Sequence, residues 1–165
     1  MGTPVRAAIV TEYFAAASDD VAVLALLEPD GPSALAQGSG EPLFDTVTLP
    51  SIEPFVMLGT LHHLLSGRPY RECAADLRHG QVVGGGEEGP WVVTVSEGLV
   101  QALAETTRGR LADVASRWAR TPELRQLAHE HRPERLTPAV IALAALAHRA
   151  QDVRHTLYCW TRLPA

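Results

Sequence analysis

The chain has 165 residues, 46% of them hydrophobic, which fits one globular domain with a buried core and excludes gross disorder. Its 19 acidic residues outnumber its 14 basic residues, and the net charge of −5 argues against a general nucleic-acid-binding or anionic-membrane-binding protein. Every basic residue is an arginine, so mechanisms that need a lysine as Schiff-base nucleophile or general base are excluded.

The first half of the chain predicts two strands separated by a short helix and a loop. Ser18 or Asp19 is a suitable N-cap for the apolar segment that follows. The loop holds three prolines and three glycines and is expected to be mobile. The predicted elements are a strand over 5–14, a helix over 21–27, the loop over 28–42 and a strand over 44–49.

A second helix is predicted from an N-cap at Ser51 to a left-handed glycine at Gly67. Its apolar face is formed by residues at helical spacing: Phe55, Leu58, Leu61 and Leu65. His62 falls at the edge of this face, and His63 falls nearly opposite it. Because neighbouring helical residues point about 100° apart, the two imidazoles cannot converge on one ligand.

The second half begins with a glycine-rich turn that has no cofactor fingerprint. The run 84–86 matches neither Gly-x-Gly-x-x-Gly nor a P-loop, and Glu87 and Glu88 would repel phosphate. No cofactor is therefore predicted. The elements predicted here are a weak strand and turn over 80–90, a strand over 91–95, a helix capped by Ser96, a helix after Gly109, a long helix over 137–155 that follows a break at Pro133, and a strand over 157–163.

These elements predict an α+β fold with a mainly antiparallel or mixed sheet of four or five strands and with helices packed largely on one side. Residues 1–165 are expected to form a single domain. In the long helix, the predicted buried stripe consists of Leu143, Leu146, Ala150 and Val153.

The cysteines and the hydropathy pattern predict a cytoplasmic protein with no membrane partner. Cys73 and Cys159 are too few for a disulfide scaffold and form no Cys-x-x-Cys motif, so both are expected to be reduced. No run of 18 apolar residues predicts a transmembrane helix. The first residues also lack the apolar stretch and the cleavage site of a signal peptide.

His62 is the candidate catalytic residue. At a helix edge it could act as a general base together with a carboxylate such as Asp45 or Asp76. The alternative is a half-buried histidine that donates a hydrogen bond inside the core. No nucleophile elbow, Ser-His-Asp pattern or Cys-His spacing accompanies it.

A possible metal site lies on the long C-terminal helix. His148, Asp152 and His155 are spaced i, i+4 and i+7, which places two imidazoles and a carboxylate on one helical face. This face lies opposite the predicted buried stripe, so the alternative is a solvated polar face.

Residues 110–131 have the outline of a helix-turn-helix. The surrounding segment 106–135 holds seven arginines and four acidic residues, an excess that would suit phosphate contacts. The turn at 120–122 lacks the glycine that is common there, and the whole chain is acidic. Binding of nucleic acid is therefore the weaker hypothesis for this segment.

The helix 61–67 resembles the YfbM-like family of small uncharacterised bacterial proteins. The matching motif is Leu-His-x-x-Leu-[Ser/Thr]-Gly, with Leu61, His62, Leu65, Ser66 and Gly67. The order of elements is also similar, but the loop 28–42 and the arginine-rich segment 106–135 depart from the family. The resemblance implies an α+β fold. It implies no particular activity, because the family has no established chemistry. Some small proteins of this kind accompany toxin systems as immunity factors, which is an analogy of fold class.

The predicted function is a non-enzymatic protein-interaction module, with an immunity or regulatory role and an unidentified protein partner. The acidic surface and the arginine-only basic residues suit polar protein recognition. One alternative is a small enzyme that uses His62 with a nearby carboxylate. The other is a DNA-binding regulator that uses residues 110–131.

Overall fold

The computed structural model describes residues 9–34, 40–49, 51–125 and 133–164. It confirms the α+β class, with a five-stranded sheet in which every neighbouring pair of strands is antiparallel. The strand order is β2-β1-β5-β4-β3. The strands are β1 (Val10–Ala16), β2 (Thr46–Thr48), β3 (Val82–Gly85), β4 (Trp91–Thr94) and β5 (Thr156–Arg162).

The helices connect these strands in the predicted order, except that the sequence did not predict the helix Tyr70–Ala75. They are α1 (Asp19–Ala22), α2 (Val56–Ser66), α3 (Tyr70–Ala75), α4 (Glu97–Glu105), α5 (Arg108–Ala119), α6 (Pro122–Arg125) and α7 (Pro133–Asp152). Two short 3-10 helices cover Val23–Leu27 and Pro32–Ala34. Across the described ranges, none of the helices combines the length and the hydropathy needed to cross a membrane.

Both predicted serine caps are confirmed. The backbone N–H of Val21 donates to Ser18 Oγ at the start of α1, and that of Leu99 donates to Ser96 Oγ at the start of α4. Each bond satisfies a backbone donor that has no partner within the helix. Gly67 ends α2 in the left-handed conformation, with φ of 75°, as predicted.

The start of α2 differs from the prediction. The helix begins at Val56, and the Ser51 hydroxyl donates instead to the carbonyl of Ile9. The carboxylate of Glu53 accepts the backbone N–H groups of Phe55 and Val56 and that of Met57. An acidic side chain therefore satisfies the free donors of the first turn, where its charge also matches the helix dipole. Phe55 consequently lies outside the buried stripe.

The ends of α7 also differ from the prediction. Pro133 is the first described residue of the helix, where proline is tolerated, so it does not act as a break before residue 137. The helix ends at Asp152. As a result Val153 is 60% exposed and does not continue the buried stripe, whereas Leu143 and Leu146 are buried as predicted.

The main core lies between one face of the sheet and the larger helices. Tyr13 and Cys159, which are register partners on β1 and β5, face buried residues of α2, α4, α5 and α7. The opposite face, which includes Phe14 and Tyr158, is covered by α1, the adjoining 3-10 helix and Phe44. The prediction that helices pack largely on one side is confirmed.

The loop predicted over 28–42 is described in part. Its residues 35–39 lie outside the described residues, so its mobility remains a prediction. Pro32–Ala34 form a 3-10 helix whose Ser33 N–H donates to the buried carboxylate of Glu12 at 2.9 Å. This bond holds the first half of the loop against β1.

Candidate functional site

His62 lies in the core, where 2% of its surface is exposed. A Cβ atom added to Gly98 would be 3.1 Å from His62 Cε1, so α4 begins directly against the imidazole. No described residue forms a hydrogen bond with the buried Nδ1 atom. Burial, followed by the charge of Arg68, lowers the pKa of His62 below its usual range. The side chain therefore favours the neutral form.

The two carboxylates considered for His62 are engaged elsewhere. Asp45 forms an ion pair with Arg149, at 2.7 Å between Oδ2 and Nε. Asp76 Oδ1 accepts the backbone N–H of Arg78 at 2.8 Å, and its charge opposes the pKa shift of His62 without a hydrogen bond to the ring. The geometry fits a packed core histidine, and the catalytic role of His62 stays a prediction.

The structure brings together two of the three proposed metal-binding residues. His148 Nδ1 lies 3.4 Å from Asp152 Oδ2, and both side chains are about two-thirds exposed. His155 follows the end of α7 and lines a separate pocket. Within the described ranges, no three metal-binding side chains form a group that could hold an ion. The metal-binding role of His148, Asp152 and His155 stays a prediction.

The segment proposed to bind DNA is partly built into the core. Leu111 and Trp118 on α5 are buried, and the indole N–H of Trp118 donates to the carbonyl of Met57 at 3.1 Å. Arg110 donates to the carbonyl of Leu65 at 3.1 Å. Residues 126–131 lie outside the described residues. The DNA-binding role of 110–131 stays a prediction.

An exposed hydrophobic surface surrounds the start of α2. Four large side chains here, Phe55, Val56, Tyr70 and Leu77, are between 39% and 88% exposed. We call these four residues the apolar platform. Exposed apolar residues are ordinary when scattered, but neighbouring ones held in one place mark interaction sites.

Two glycines provide the space in which the platform rings lie. A Cβ atom at Gly59 would be 2.8 Å from Tyr70 Cε2, and one at Gly80 would be 2.6 Å from Phe55 Cδ1. His79 Nε2 also lies 2.8 Å from the carbonyl oxygen of Phe55. This bond ties the turn that carries Leu77 to the beginning of α2.

Two carboxylates lie close to Tyr70. Burial raises the pKa of the Tyr70 hydroxyl, and the carboxylates of Glu53 and Glu123 raise it further. The buried Oε2 atom of Glu123 has no hydrogen-bond partner among the described residues. The arginine at position 68 is paired with Glu72. The platform therefore offers an apolar surface beside the carboxylates of Glu53 and Glu123.

A pocket of about 440 Å³ lies elsewhere, at the end of β1. Its walls are mainly apolar, and Asp45, Arg149 and His155 are the polar side chains that line it. Sequence patterns did not predict this pocket, because its walls come from segments that are far apart in the chain. They also predicted that Phe55 would be buried, because it fits the helical spacing of the apolar stripe.

Comparisons with known proteins give no relative: no family model, no curated protein and no solved structure matches the chain. The resemblance to the YfbM-like family therefore stays a prediction.

Proposed function

We propose that the chain is a non-enzymatic protein-interaction module and that its partner binds the apolar platform. The observation that supports this proposal is the exposure of Phe55, Val56, Tyr70 and Leu77 around two glycines that leave room for the rings. The rings of Phe55 and Tyr70 lie against these glycines, so we expect them to lose little conformational freedom when a partner covers them. Such aromatic anchors supply much of the affinity in protein interfaces.

The charges suggest the chemistry of the partner. Glu53 and Glu123 both lie close enough to Tyr70 to raise its pKa. A basic side chain from a partner would compensate this charge. We therefore propose that the partner presents apolar side chains next to an arginine or lysine. An immunity or regulatory role is consistent with such binding.

The test begins with capture of proteins from a lysate of the source organism on the immobilised chain. The captured protein is then purified and titrated against the chain by calorimetry. We expect one-to-one binding that weakens at least tenfold in Val56→Asp and in Leu77→Asp. Glu123→Gln should weaken binding less, by roughly three- to tenfold, because it removes charge and no apolar contact.

Leu27→Asp is the matched control, because Leu27 is exposed and lies outside the platform. Binding that is equally strong in the two platform variants and in this control would contradict the proposal. A dimer of the chain that is lost in Leu77→Asp would assign the platform to a second copy and overturn the separate partner.

A further inference from the structure

We propose that the pocket at the end of β1 binds a small, uncharged, mainly apolar molecule that carries a carbonyl-type hydrogen-bond acceptor. This site is made of residues other than the platform and is independent of the proposed protein interaction. Its volume of about 440 Å³ lies within the range of small-molecule pockets.

Four segments of the chain build the pocket. The end of β1 contributes Ala15 to Ala17, α1 and the adjoining 3-10 helix contribute Val21 and Leu24, and the approach to β2 contributes Leu43 and Phe44. The end of α7 and the residues after it close the remaining side. Half of the lining residues belong to β1, the first two helical segments and α7, and the other half belong to the segments that connect them.

The end of β1 lines the pocket with three consecutive alanines. Ala15 and Ala16 are buried, whereas Ala17 is exposed. Ala15 packs in the main core and Ala16 packs in the cluster on the opposite face of the sheet, so Ala17 is the position where we expect a larger side chain to reduce the volume of the pocket. Val21 and Leu24 stay partly exposed at its edge, and a bound apolar molecule would cover them.

The polar side chains that line the pocket determine which polar group the ligand must carry. Arg149 donates from Nε and Nη2 to the two oxygens of Asp45, at 2.7 Å and 3.0 Å. Its Nη1 group is used in no hydrogen bond to a described residue, and the same holds for the ring of His155. An arginine can only donate, so the ligand must offer an acceptor.

Asp45 determines the charge of that acceptor. Its carboxylate neutralises Arg149, so the pair carries no net charge at the pocket. The Asp45 carboxylate would repel an anionic polar group of the ligand, and the Arg149 guanidinium would repel a cationic one. A neutral carbonyl can accept from Nη1 without either repulsion.

The test is a titration of the isotopically labelled full chain, followed by NMR, with three probes of one shape. The probes are cyclohexanecarboxamide, cyclohexanecarboxylate and cyclohexylmethylammonium. We expect saturable shifts at the amides of Ala17, Val153 and His155 with the carboxamide. The carboxylate and the ammonium probes should bind at least fivefold more weakly.

Two variants separate the pocket from weak surface binding. Ala17→Phe should fill the pocket and abolish the saturable shifts, whereas Ala145→Phe, an equal change at an exposed position of α7 outside the pocket, should not. The double variant Asp45→Asn with Arg149→Gln should weaken carboxamide binding at least fivefold.

Three outcomes would overturn the proposal. The first is the absence of saturable shifts with all three probes at millimolar concentration. The second is equal carboxamide binding by Ala17→Phe and the parent chain. The third is tighter binding of the carboxylate than of the carboxamide, which would overturn the uncharged class of ligand.

Discussion

At Asp19, three hydrogen bonds converge on one carboxylate. Arg78 donates from Nη1 and Nη2 at 2.8 Å and 2.7 Å, and the Tyr158 hydroxyl donates at 2.6 Å. These bonds join α1 to the segment before β3 and to the central strand β5. The bond from Arg78, followed by that from Tyr158, lowers the pKa of Asp19 from 3.8 to about 2.

Asp19→Asn should lower the free energy of unfolding at pH 7 by about 1 kcal/mol, because the ion pair is partly exposed and solvent screens it. Because the pKa of Asp19 is lower in the folded chain than in the unfolded chain, its ionised carboxylate stabilises the fold at pH values above the unfolded pKa. This stabilisation is lost as the pH falls through the folded pKa. The difference between the two proteins should therefore shrink from pH 4 towards about pH 2. Urea unfolding at several pH values measures it, with Asp20→Asn as the control. A difference that does not change with pH would contradict the prediction.

His62→Leu should leave the free energy of unfolding at pH 7 within about 1 kcal/mol of the parent, or raise it, because a buried nitrogen without a partner is removed. The lowered pKa of His62 means that the unfolded chain takes up its proton first as the pH falls below 6.5. The parent should therefore lose stability towards pH 5, and His62→Leu should lose less. Unfolding curves from pH 7 to pH 5 measure this, and His148→Gln is the exposed control. Equal slopes for parent and His62→Leu would contradict the structural role.

At the scale of single elements, Gly59 shows how packing can reverse an intrinsic preference. Alanine in place of glycine within a helix usually stabilises by about 0.5–1 kcal/mol. At Gly59 a Cβ atom would approach Tyr70 Cε2 to 2.8 Å. The ring must therefore move away from α2.

Gly59→Ala should displace Tyr70 and weaken binding of the platform partner at least fivefold, with little or no gain in stability. Gly109→Ala is the matched control, because no atom within 4 Å would meet its Cβ. That control should gain about 0.5 kcal/mol and keep full binding. Calorimetric titration and thermal unfolding of both variants give the two readouts. Unchanged binding by Gly59→Ala would show that the partner does not bind at the apolar platform.

Local signals predicted most elements and few of their contacts. Ser18 and Ser96 were predictable as caps because the side chain acts within its own turn. The branched residues of β4 gave the clearest strand signal, because β-branched side chains favour extended backbone. Phe55 was placed wrongly, because Glu53, not Ser51, caps α2 and helical spacing does not reveal where the helix begins.

The candidate sites were harder to predict than the fold. His62 was expected at a helix edge, but its burial depends on the approach of α4 at Gly98, which no local pattern contains. The apolar platform combines α2, α3 and the turn after α3. The pocket at the end of β1 combines segments that are more widely separated. Both are properties of the tertiary structure.

At the scale of the whole molecule, β5 is the central strand. It pairs with β1 over seven residues and with β4 over four residues. Deletion of residues 156–165 should therefore leave β1 and β4 without a common partner, and we expect a largely unfolded chain. Circular dichroism and the dispersion of NMR signals measure the outcome. Deletion of 163–165, which follows β5, should preserve the fold. A folded, cooperative product of the longer deletion would contradict the central role of β5.

The two buried cysteines report on opening of the structure. Cys159 lies in β5, and burial raises the pKa of its thiol, whereas Cys73 lies in the short helix α3. Thiol labelling of the native protein should be slow, and Cys73 should react first because a short peripheral helix opens more easily than the central strand. Labelling kinetics of Cys73→Ala and Cys159→Ala separate the two rates. Faster labelling of Cys159 would show that β5 is not the most stable part of the sheet.

The position of β5 also affects how the protein is made on the ribosome. β1 begins at Val10, but the strand that covers most of it begins at Thr156. At a translation rate of about 5–20 residues per second, the interval between them is on the order of ten seconds. During that time Tyr13 and Phe14 lack their register partners on β5. The nascent chain therefore presents an apolar strand that can pair with β2 but has one free edge, the kind of segment that chaperones at the ribosome shield, until translation passes β5.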